Sequence, residues 1–303
     1  MDPLSQVLSL LKTQSYVSSG FSAGGDWSLQ FQLRNDVIKC YAVEEGGCWM
    51  VVEGVDQPIK VVAGDCFVLP SGRPFRLTSD IGLAPQDSKS AFPPATPGGV
   101  VTINGGGDLL LVGSRFVVNG RQAPMLLQMM PPVVHIKDEG DQQALRWSVS
   151  RMREELAHNR PGGALIAQHL AHMMLVQALR LHLQEGRHET GWFAALTDPR
   201  LCKAITAVHA SPGERWSLAE LASIAGMSRS VFAEKFRATT GETVMDYVTR
   251  WRMLIASEEL ETTSKTVSTI APALGYESES AFTTAFKRVM GCAPREYARR
   301  RAG

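Results

Sequence analysis

The chain has 303 residues, enough for two domains and a connector between them. Its apolar fraction of 44%, charged fraction of 20% and net charge of +1 describe an ordinary globular protein and give no argument from overall charge for a nucleic-acid partner. No apolar run approaches the roughly 18 residues that cross a bilayer, and the amino terminus lacks the basic and small-residue features of a secretory signal, so neither a membrane contact nor secretion is expected. Divided at Asp198, the charge becomes asymmetric: 15 Lys and Arg against 12 Asp and Glu from Asp198 onward, and 16 against 18 before it. Arg299 to Arg301 add a basic end.

Residues up to about Val134 are rich in Gly, Pro and β-formers. Val37–Val43, Cys48–Val52, Ile59–Val62 and Cys66–Leu69 read as strands, with turns at Glu45-Gly46-Gly47, Ala63-Gly64-Asp65 and Pro70-Ser71-Gly72. Leu83 to Gly99, with Pro85, Pro93, Pro94 and Pro97, reads as a loop. Further strands are expected at Val100–Ile103, Leu109–Val112 and Arg115–Val118. Many short strands at regular spacing predict a barrel or jelly roll. Gly105-Gly106-Gly107-Asp108 lacks the lysine and following helix of a phosphate-binding loop and is read as a turn.

From about Asp141 the period becomes helical. Leu145, Val149, Met152 and Leu156 mark one face, ended by Asn159-Arg160-Pro161-Gly162-Gly163. A longer helix from Ala164 to about Gln184 has an apolar stripe wider than a lone surface helix needs, so it packs against the barrel or a second chain. Asp198-Pro199 is a helix start, with a capping aspartate and proline in the first helical position. The chain is helical from there to its end, and Thr243–Leu260 carries apolar residues at helical spacing over its whole length.

Within this last part, two stretches read as helix, tight turn, helix: Trp216–Phe236 and Val267–Arg288. Gly226 and Gly275 stand where a helix must end and turn, Ser228 and Ser278 follow as caps, and Phe232/Phe236 and Phe282/Phe286 pin each second helix to a core. Either stretch alone reads equally well as an ordinary helical hairpin. Two of them joined by one long helix point to a protein that grips two successive segments of a DNA groove.

The second stretch and its continuation, Ile270-Ala271, Leu274-Gly275-Tyr276-Glu277-Ser278-Glu279-Ser280-Ala281-Phe282, Ala285-Phe286-Lys287-Arg288 and Gly291-Cys292-Ala293-Pro294-Arg295-Glu296-Tyr297, resembles the signature of the AraC/XylS-type transcriptional regulators. The resemblance implies a seven-helix DNA-binding domain from about Asp198 to Arg301, whose long middle helix holds two recognition helices in adjacent major-groove segments. Carried over by position, the first reader presents Ser228, Arg229, Ser230, Ala233, Glu234 and Arg237, and the second Glu279, Ser280, Ala281, Thr283, Thr284 and Lys287, with Arg288 beside them. The cations suit phosphates or guanine edges, and Glu234 suits cytosine N4. Short side chains leave room for shape readout. Pro272 departs from a regular helix, where proline costs up to about 3 kcal/mol, so the first reader is expected to dominate and the second to anchor.

Gly64-Asp65-Cys66-Phe67-Val68-Leu69-Pro70-Ser71-Gly72-Arg73-Pro74-Phe75 resembles the second motif of a cupin barrel. Metal-binding cupins place a histidine where Phe75 stands, and the strand around Cys40–Val43 has none; His135 is the only histidine before residue 158. No metal, no cofactor and no catalytic residue are therefore expected. His158, His169, His172 and His182 lack a completing ligand and read as packing or surface histidines. Tyr41, Trp49, Arg73, Phe75, Arg76 and Arg115 are the candidates for an effector site, with surface charge the plainer reading of the arginines. Cys40, Cys48 and Cys66 are either a thiol sensor or small apolar core residues, and Cys292 falls in the Gly-x-x-Pro turn. Five cysteines without a CxxC spacing suit a reduced, cytoplasmic setting.

The expected architecture is a multidomain α+β protein: a cupin-like β-barrel regulatory domain at 1–135, a helical connector at 136–195 that serves dimerisation, and a DNA-binding domain at 196–303. The expected partners are double-stranded promoter DNA, a small-molecule effector, RNA polymerase and a second copy of the chain. Two alternatives stay open: a thiol-responsive regulator and a metal-dependent cupin enzyme.

Overall fold

The computed structural model describes residues 2–11, 13–32, 36–91, 100–118, 120–137, 143–158, 160–186 and 190–299. Pro93, Pro94, Pro97, Asn159, Arg300 and Arg301, invoked above in a loop, a turn and a basic end, lie outside them, as does the side chain of Leu156. Two compact units emerge: Thr13–Asn119 with Ala123–Glu185, and Met1–Lys12 with Gly120–Gln122 and Gly186–Gly303.

The chain opens with α1 (Pro3–Leu10). Asp2 caps it by accepting from the Ser5 amide, and Pro3 takes the first helical position. The strands of the other unit follow: β1 (Thr13–Ala23), β2 (Ser28–Phe31), β3 (Val37–Val52), β4 (Ile59–Val62), β5 (Cys66–Leu69), β6 (Phe75–Thr78) and β7 (Gln86–Asp87). After the one-turn helix α2 (Ser88–Ala91) come β8 (Val101–Ile103), β9 (Leu109–Val118), helix α3 (Ala123–Gln128) and β10 (Val134–Ile136). The expected loop at Leu83–Gly99 thus contains β7 and α2.

Two pairs of expected strands are single long strands. Val37–Val43 and Cys48–Val52 fuse into β3, and Leu109–Val112 and Arg115–Val118 into β9. Glu45-Gly46-Gly47 is therefore no hairpin turn but a bulge, where the register shifts between Val43 and Glu45. Gly46 has φ 72°, and a Cβ on it would lie 1.7 Å from the Asp108 carbonyl oxygen, so only glycine fits. The bulge lets one strand serve two sheets: before it β3 pairs with β5 and β9, beyond it with β4 and β6.

The resulting sheet curls around Phe21, Trp27, Leu29, Phe31, Val43, Cys48, Met50, Phe67, Phe75, Leu77 and Leu111, with Tyr41 packed on them. Its outer face is covered by α4 (Gln143–His158) and α5 (Gly163–Glu185). α4 buries Leu145, Val149 and Met152, and α5 buries Ala167, Leu170, Ala171, Met174, Leu175, Ala178 and Leu179 against α4, β1, β5 and β10. The inward half of the α5 stripe thus meets the sheet. The other half, Leu165, Ile166, Met173 and Val176, faces outward, and Leu165 keeps 59% of its surface.

The second unit holds α6 (Trp192–Thr197), α7 (Pro199–Ala210), α8 (Leu218–Ile224), α9 (Arg229–Thr240), α10 (Val244–Thr262), α11 (Val267–Ala273), α12 (Glu279–Met290) and α13 (Pro294–Arg299). Asp198 caps α7 through the Arg200 and Leu201 amides. α1 packs on α7, where Gln6 meets His209. Residues 120–122 belong here too: the Tyr297 hydroxyl donates to Gln122 Oε1 at 3.2 Å, and Arg121 lies 4.7 Å over the Tyr297 ring. No described helix is long and apolar enough to cross a membrane.

Candidate nucleic-acid interface

The local chemistry of the α8–α9 pair follows directly from its sequence. Ser217 and Glu220 form a reciprocal capping box at the start of α8. Gly226, at φ 65°, turns the chain into α9, whose cap Ser228 accepts from the Val231 amide. Gly241 closes α9 in the left-handed conformation. The α11–α12 pair repeats this: Gly275 at φ 78°, Ser278 accepting from the Ala281 amide, and Gly291 closing α12.

The repeat extends to the packing. α9 and α12 have 12 residues each, offset by 50 positions (229 to 279), and their patterns of buried and exposed residues coincide position for position. Phe232 and Phe236 on one, and Phe282 and Phe286 on the other, are fully buried. Phe236 meets Tyr247 edge-on at 5.6 Å, and its counterpart Phe286 meets Tyr297 at 5.4 Å. One structural unit has been built twice, and each copy fixes the rotation of its second helix through the same aromatic anchors.

That rotation leaves the opposite face to solvent. Ser228, Arg229, Ser230, Glu234 and Arg237 are exposed on the first copy, with Ala233 half-buried; Glu279, Ser280, Ala281, Thr284, Lys287 and Arg288 are exposed on the second, with Thr283 half-buried. Among the described residues, Arg229, Arg237 and Lys287 have no carboxylate partner, whereas Lys235 is held by Asp198 and Arg288 stands 4.0 Å from Asp246. A shallow cleft of about 840 Å³ runs beside the first copy and is lined by Ala233, Glu234, Arg237 and Met245.

Pro272 falls in the last turn of α11, which has 7 residues like α8. The helix ends at once: Leu274 and Tyr276 donate to the Ala271 carbonyl and Gly275 to that of Pro272. One bond is forfeited where the helix was about to stop, so the second copy keeps the length of the first. α10 ties the two copies together. Arg252 donates from Nε to the Pro212 carbonyl at 2.7 Å and from Nη2 to that of Glu214 at 2.6 Å, and its guanidinium lies 5.6 Å over the Tyr276 ring.

The barrel divides the six effector candidates. Tyr41 lies in the interior against Phe67 at 5.0 Å and Phe75 at 6.4 Å, and Phe75 stacks on Phe31 at 4.5 Å. Arg115 sits on the same face, across the ladder from Lys39 and next to the Tyr41–Gly113 pair. Trp49 lies on the other face, with the Lys60 ammonium 5.0 Å over its ring, because its neighbours Cys48 and Met50 point inward. Arg73 donates to the Glu53 carbonyl, and Arg76 to those of Ile81 and Leu83, so both clamp loops. Lys39, outside the six, shares this face: its ammonium lies 4.3 Å over Phe31 and 4.8 Å over Phe75. Its signal was strand alternation: it stands two positions before Tyr41.

The remaining candidates separate as clearly. Among the described residues no group of three or more His, Cys, Asp or Glu is placed to hold a metal. His135 pairs with Asp65 at 2.9 Å, and His172 packs edge-on to Phe116. Cys48 is buried inside the barrel, and burial pushes its thiol up to about 12. Cys40 and Cys66 lie on the outer face, while Cys202 and Cys292 are half-buried in the helical unit.

Set against known proteins, residues 2–184 match the cupin family and residues 221–300 a helix-turn-helix domain. The chain is 41% identical to an AraC-like transcription regulator of Streptomyces lividans and 40% identical to one of Streptomyces antibioticus, each over 98% of both chains. Among solved structures it is similar to a regulator with an AraC-type DNA-binding domain from Chromobacterium violaceum, at 28% identity over 36% of this chain and 96% of that one, with a TM-score of 0.34.

Proposed function

From a chain that belongs to the AraC-like transcription regulators, with a cupin domain ahead of a DNA-binding helix-turn-helix domain, we propose a regulator that reads promoter DNA through α9 and α12 as a dimer and answers to an anionic effector at the barrel edge. The observation that carries the DNA reading is the duplicated, capped helix pair with Arg229, Arg237 and Lys287 exposed on corresponding faces. The side chains carried over from the resemblance are the contacts: the cations for phosphates or guanine edges, Glu234 for cytosine, and the small residues for close approach.

The effector reading rests on Lys39, Tyr41, Phe75 and Arg115. Lys39 and Arg115 stand opposite each other on the face that carries Tyr41, a placement that favours a ligand of opposite charge. Phe31 and Phe75 offer the apolar wall. The ligand class that fits is a small carboxylate with an apolar or aromatic body. By binding one arrangement of the chain better than another, it shifts the population competent for DNA. The exposed α5 face is the dimer surface, RNA polymerase is the partner on which an activator of this kind acts, and the cytoplasm is its setting. A second control, by thiol chemistry, is favoured by the juxtaposition of Cys40 and Cys66.

Selection of bound sequences from a random DNA pool with the full chain, followed by titration of the selected site, tests the reading. Saturable binding that weakens with Arg229→Ala and Arg237→Ala supports it; binding indifferent to sequence and to both changes refutes it. For the effector, melting with benzoate as a probe is expected to rise in the native chain and stay flat in Arg115→Ala.

A further inference from the structure

Beneath α4 the outer face of the sheet holds two thiols that the effector site does not use. In the β3–β5 ladder Cys40 lies opposite Val68 and Ala42 opposite Cys66. Tyr41 and Phe67 point into the barrel, so Cys40 and Cys66 share the other face, on a diagonal of adjacent strands. Both are buried, at 0% and 2% exposure. On the same face Ser114, opposite Cys40 on β9, donates to Met152 Sδ of α4 at 3.4 Å. The neighbouring Cys66 side chain, together with burial, pushes the Cys40 thiol well above its ordinary range.

Access is one-sided. A cavity of about 240 Å³ between sheet and α4 is lined by Ala42, Gly64, Cys66, Leu145 and Val149. Cys66 is part of this lining and Cys40 is not. This is the arrangement of an attacked thiol and a resolving one.

We propose that Cys66 and Cys40 form a disulfide when a small uncharged two-electron oxidant enters this cavity, and that the bond alters the packing of α4 on the sheet. The pairing stands on geometry alone; its consequence for DNA rests on the reading of the chain as a DNA-binding regulator. With hypochlorous acid the Cys66 S–H bond is replaced by S–Cl and water leaves. The Cys40 sulfur then attacks the Cys66 sulfur, the S–S bond forms, the S–Cl bond breaks, chloride departs and the Cys40 proton goes to water. The two sulfurs give up two electrons, which reduce the chlorine to chloride. Diagonal partners in an antiparallel ladder stand about 7–8 Å apart at Cα, whereas disulfides span about 5.5–6 Å. Closing the bond draws β5 towards β3 directly under Val149 and Leu145, and α4 must repack.

The test treats the reduced full chain with one equivalent of hypochlorous acid, blocks remaining thiols, and maps the peptides by mass. The expected product has lost two hydrogens and yields a linked peptide pair containing Cys40 and Cys66. The link disappears in Cys40→Ala and in Cys66→Ala and survives in Cys48→Ala. DNA affinity of the native chain is expected to change by about fivefold or more, the lower end of usual coupling between sites, to return on reduction with dithiothreitol, and to stay constant in Cys40→Ala. The native-chain map needs no variant, and Cys66→Val replaces any alanine variant that melts early. Oxidation of Cys202 or Cys292 with Cys40 and Cys66 left reduced overturns the proposal, as does Cys66 carried to sulfinic or sulfonic acid without a link. A disulfide that leaves DNA affinity unchanged overturns its regulatory half. A reduced chain that binds no DNA defeats the regulator reading instead, while the peptide map still decides the thiol pair.

Discussion

His209 shows how a buried polar residue can be satisfied and still make stability depend on pH. Its ring stacks on Trp251 at 3.6 Å, with Nδ1 2.9 Å from Gln6 Oε1 and Nε2 2.7 Å from the Tyr247 hydroxyl, which accepts from Trp192 Nε1 at 3.0 Å. The protons close when neutral His209 donates from Nδ1 to Gln6 and accepts at Nε2 from Tyr247. Burial, with Arg250 adding to it, pulls the imidazole from its ordinary 6.5 down to about 3. The unfolded chain takes up a proton below about 6.5 that the fold refuses until about 3. Stability therefore falls as pH drops through this window, by up to about 1.4 kcal/mol per pH unit. Melting followed from pH 7 to 4 is expected to drop more steeply in the native chain than in His209→Gln; parallel curves contradict the assignment. Gly275 and Gly226 offer a second comparison. Both have positive φ, but a Cβ on Gly275 would lie 2.4 Å from the Gly213 carbonyl oxygen, and one on Gly226 meets nothing within 4 Å. Gly226→Ala is expected to lose about 1–2 kcal/mol and Gly275→Ala clearly more, read from denaturant unfolding.

The elements differ in how openly the sequence announces them. α9 and α12 are legible because each signal is local: a glycine, a capping serine, and phenylalanines four apart. α1 carries the same Asp-Pro start, at Asp2-Pro3, that marks α7 at Asp198-Pro199, yet its place on α7 depends on a contact 203 residues away and leaves no local trace. β3 fails in the opposite direction. Glu45-Gly46-Gly47 has the composition of a turn, and only the approach of the Asp108 backbone makes it a bulge in a continuous strand. The edge of the barrel was half legible: Tyr41, Phe75 and Arg115 share a face, while Trp49, Arg73 and Arg76 fall elsewhere because pairing partners, not spacing, set which face a residue takes. For the readers themselves, Arg229→Ala or Arg237→Ala is expected to cost about 1–3 kcal/mol at a selected site if the guanidinium reads a guanine edge. Lys287→Ala is expected to weaken all sequences alike and lower the salt slope by about one. Titrations at several salt concentrations separate the two; the reverse pattern makes α12 the specific reader and α9 the anchor.

At the scale of the whole molecule, the division of labour follows from what each unit buries. The barrel fills its interior with aromatic and aliphatic side chains and places Lys39 and Arg115 opposite each other on one ladder; the helical unit buries aromatics and leaves Arg229, Arg237 and Lys287 exposed on corresponding faces of α9 and α12. Leu165, Ile166, Met173 and Val176 remain as the apolar stripe on α5 that neither the sheet nor α4 covers. If that stripe joins two copies, Leu165→Glu with Met173→Glu is expected to turn a dimer into a monomer by light scattering without lowering the melting temperature; an unchanged mass places the interface elsewhere. The central claim is that two copies of one helix pair, held by α10, read one face of the duplex together. Hydroxyl-radical footprinting of the full chain on its selected site tests this most directly. Two protected segments per subunit, on one face and about 10 base pairs apart, are the expected result, with one segment fading in Arg237→Ala and the other in Lys287→Ala. A single protected segment per subunit, untouched by one of the two changes, would show that only one of the paired helices reads DNA.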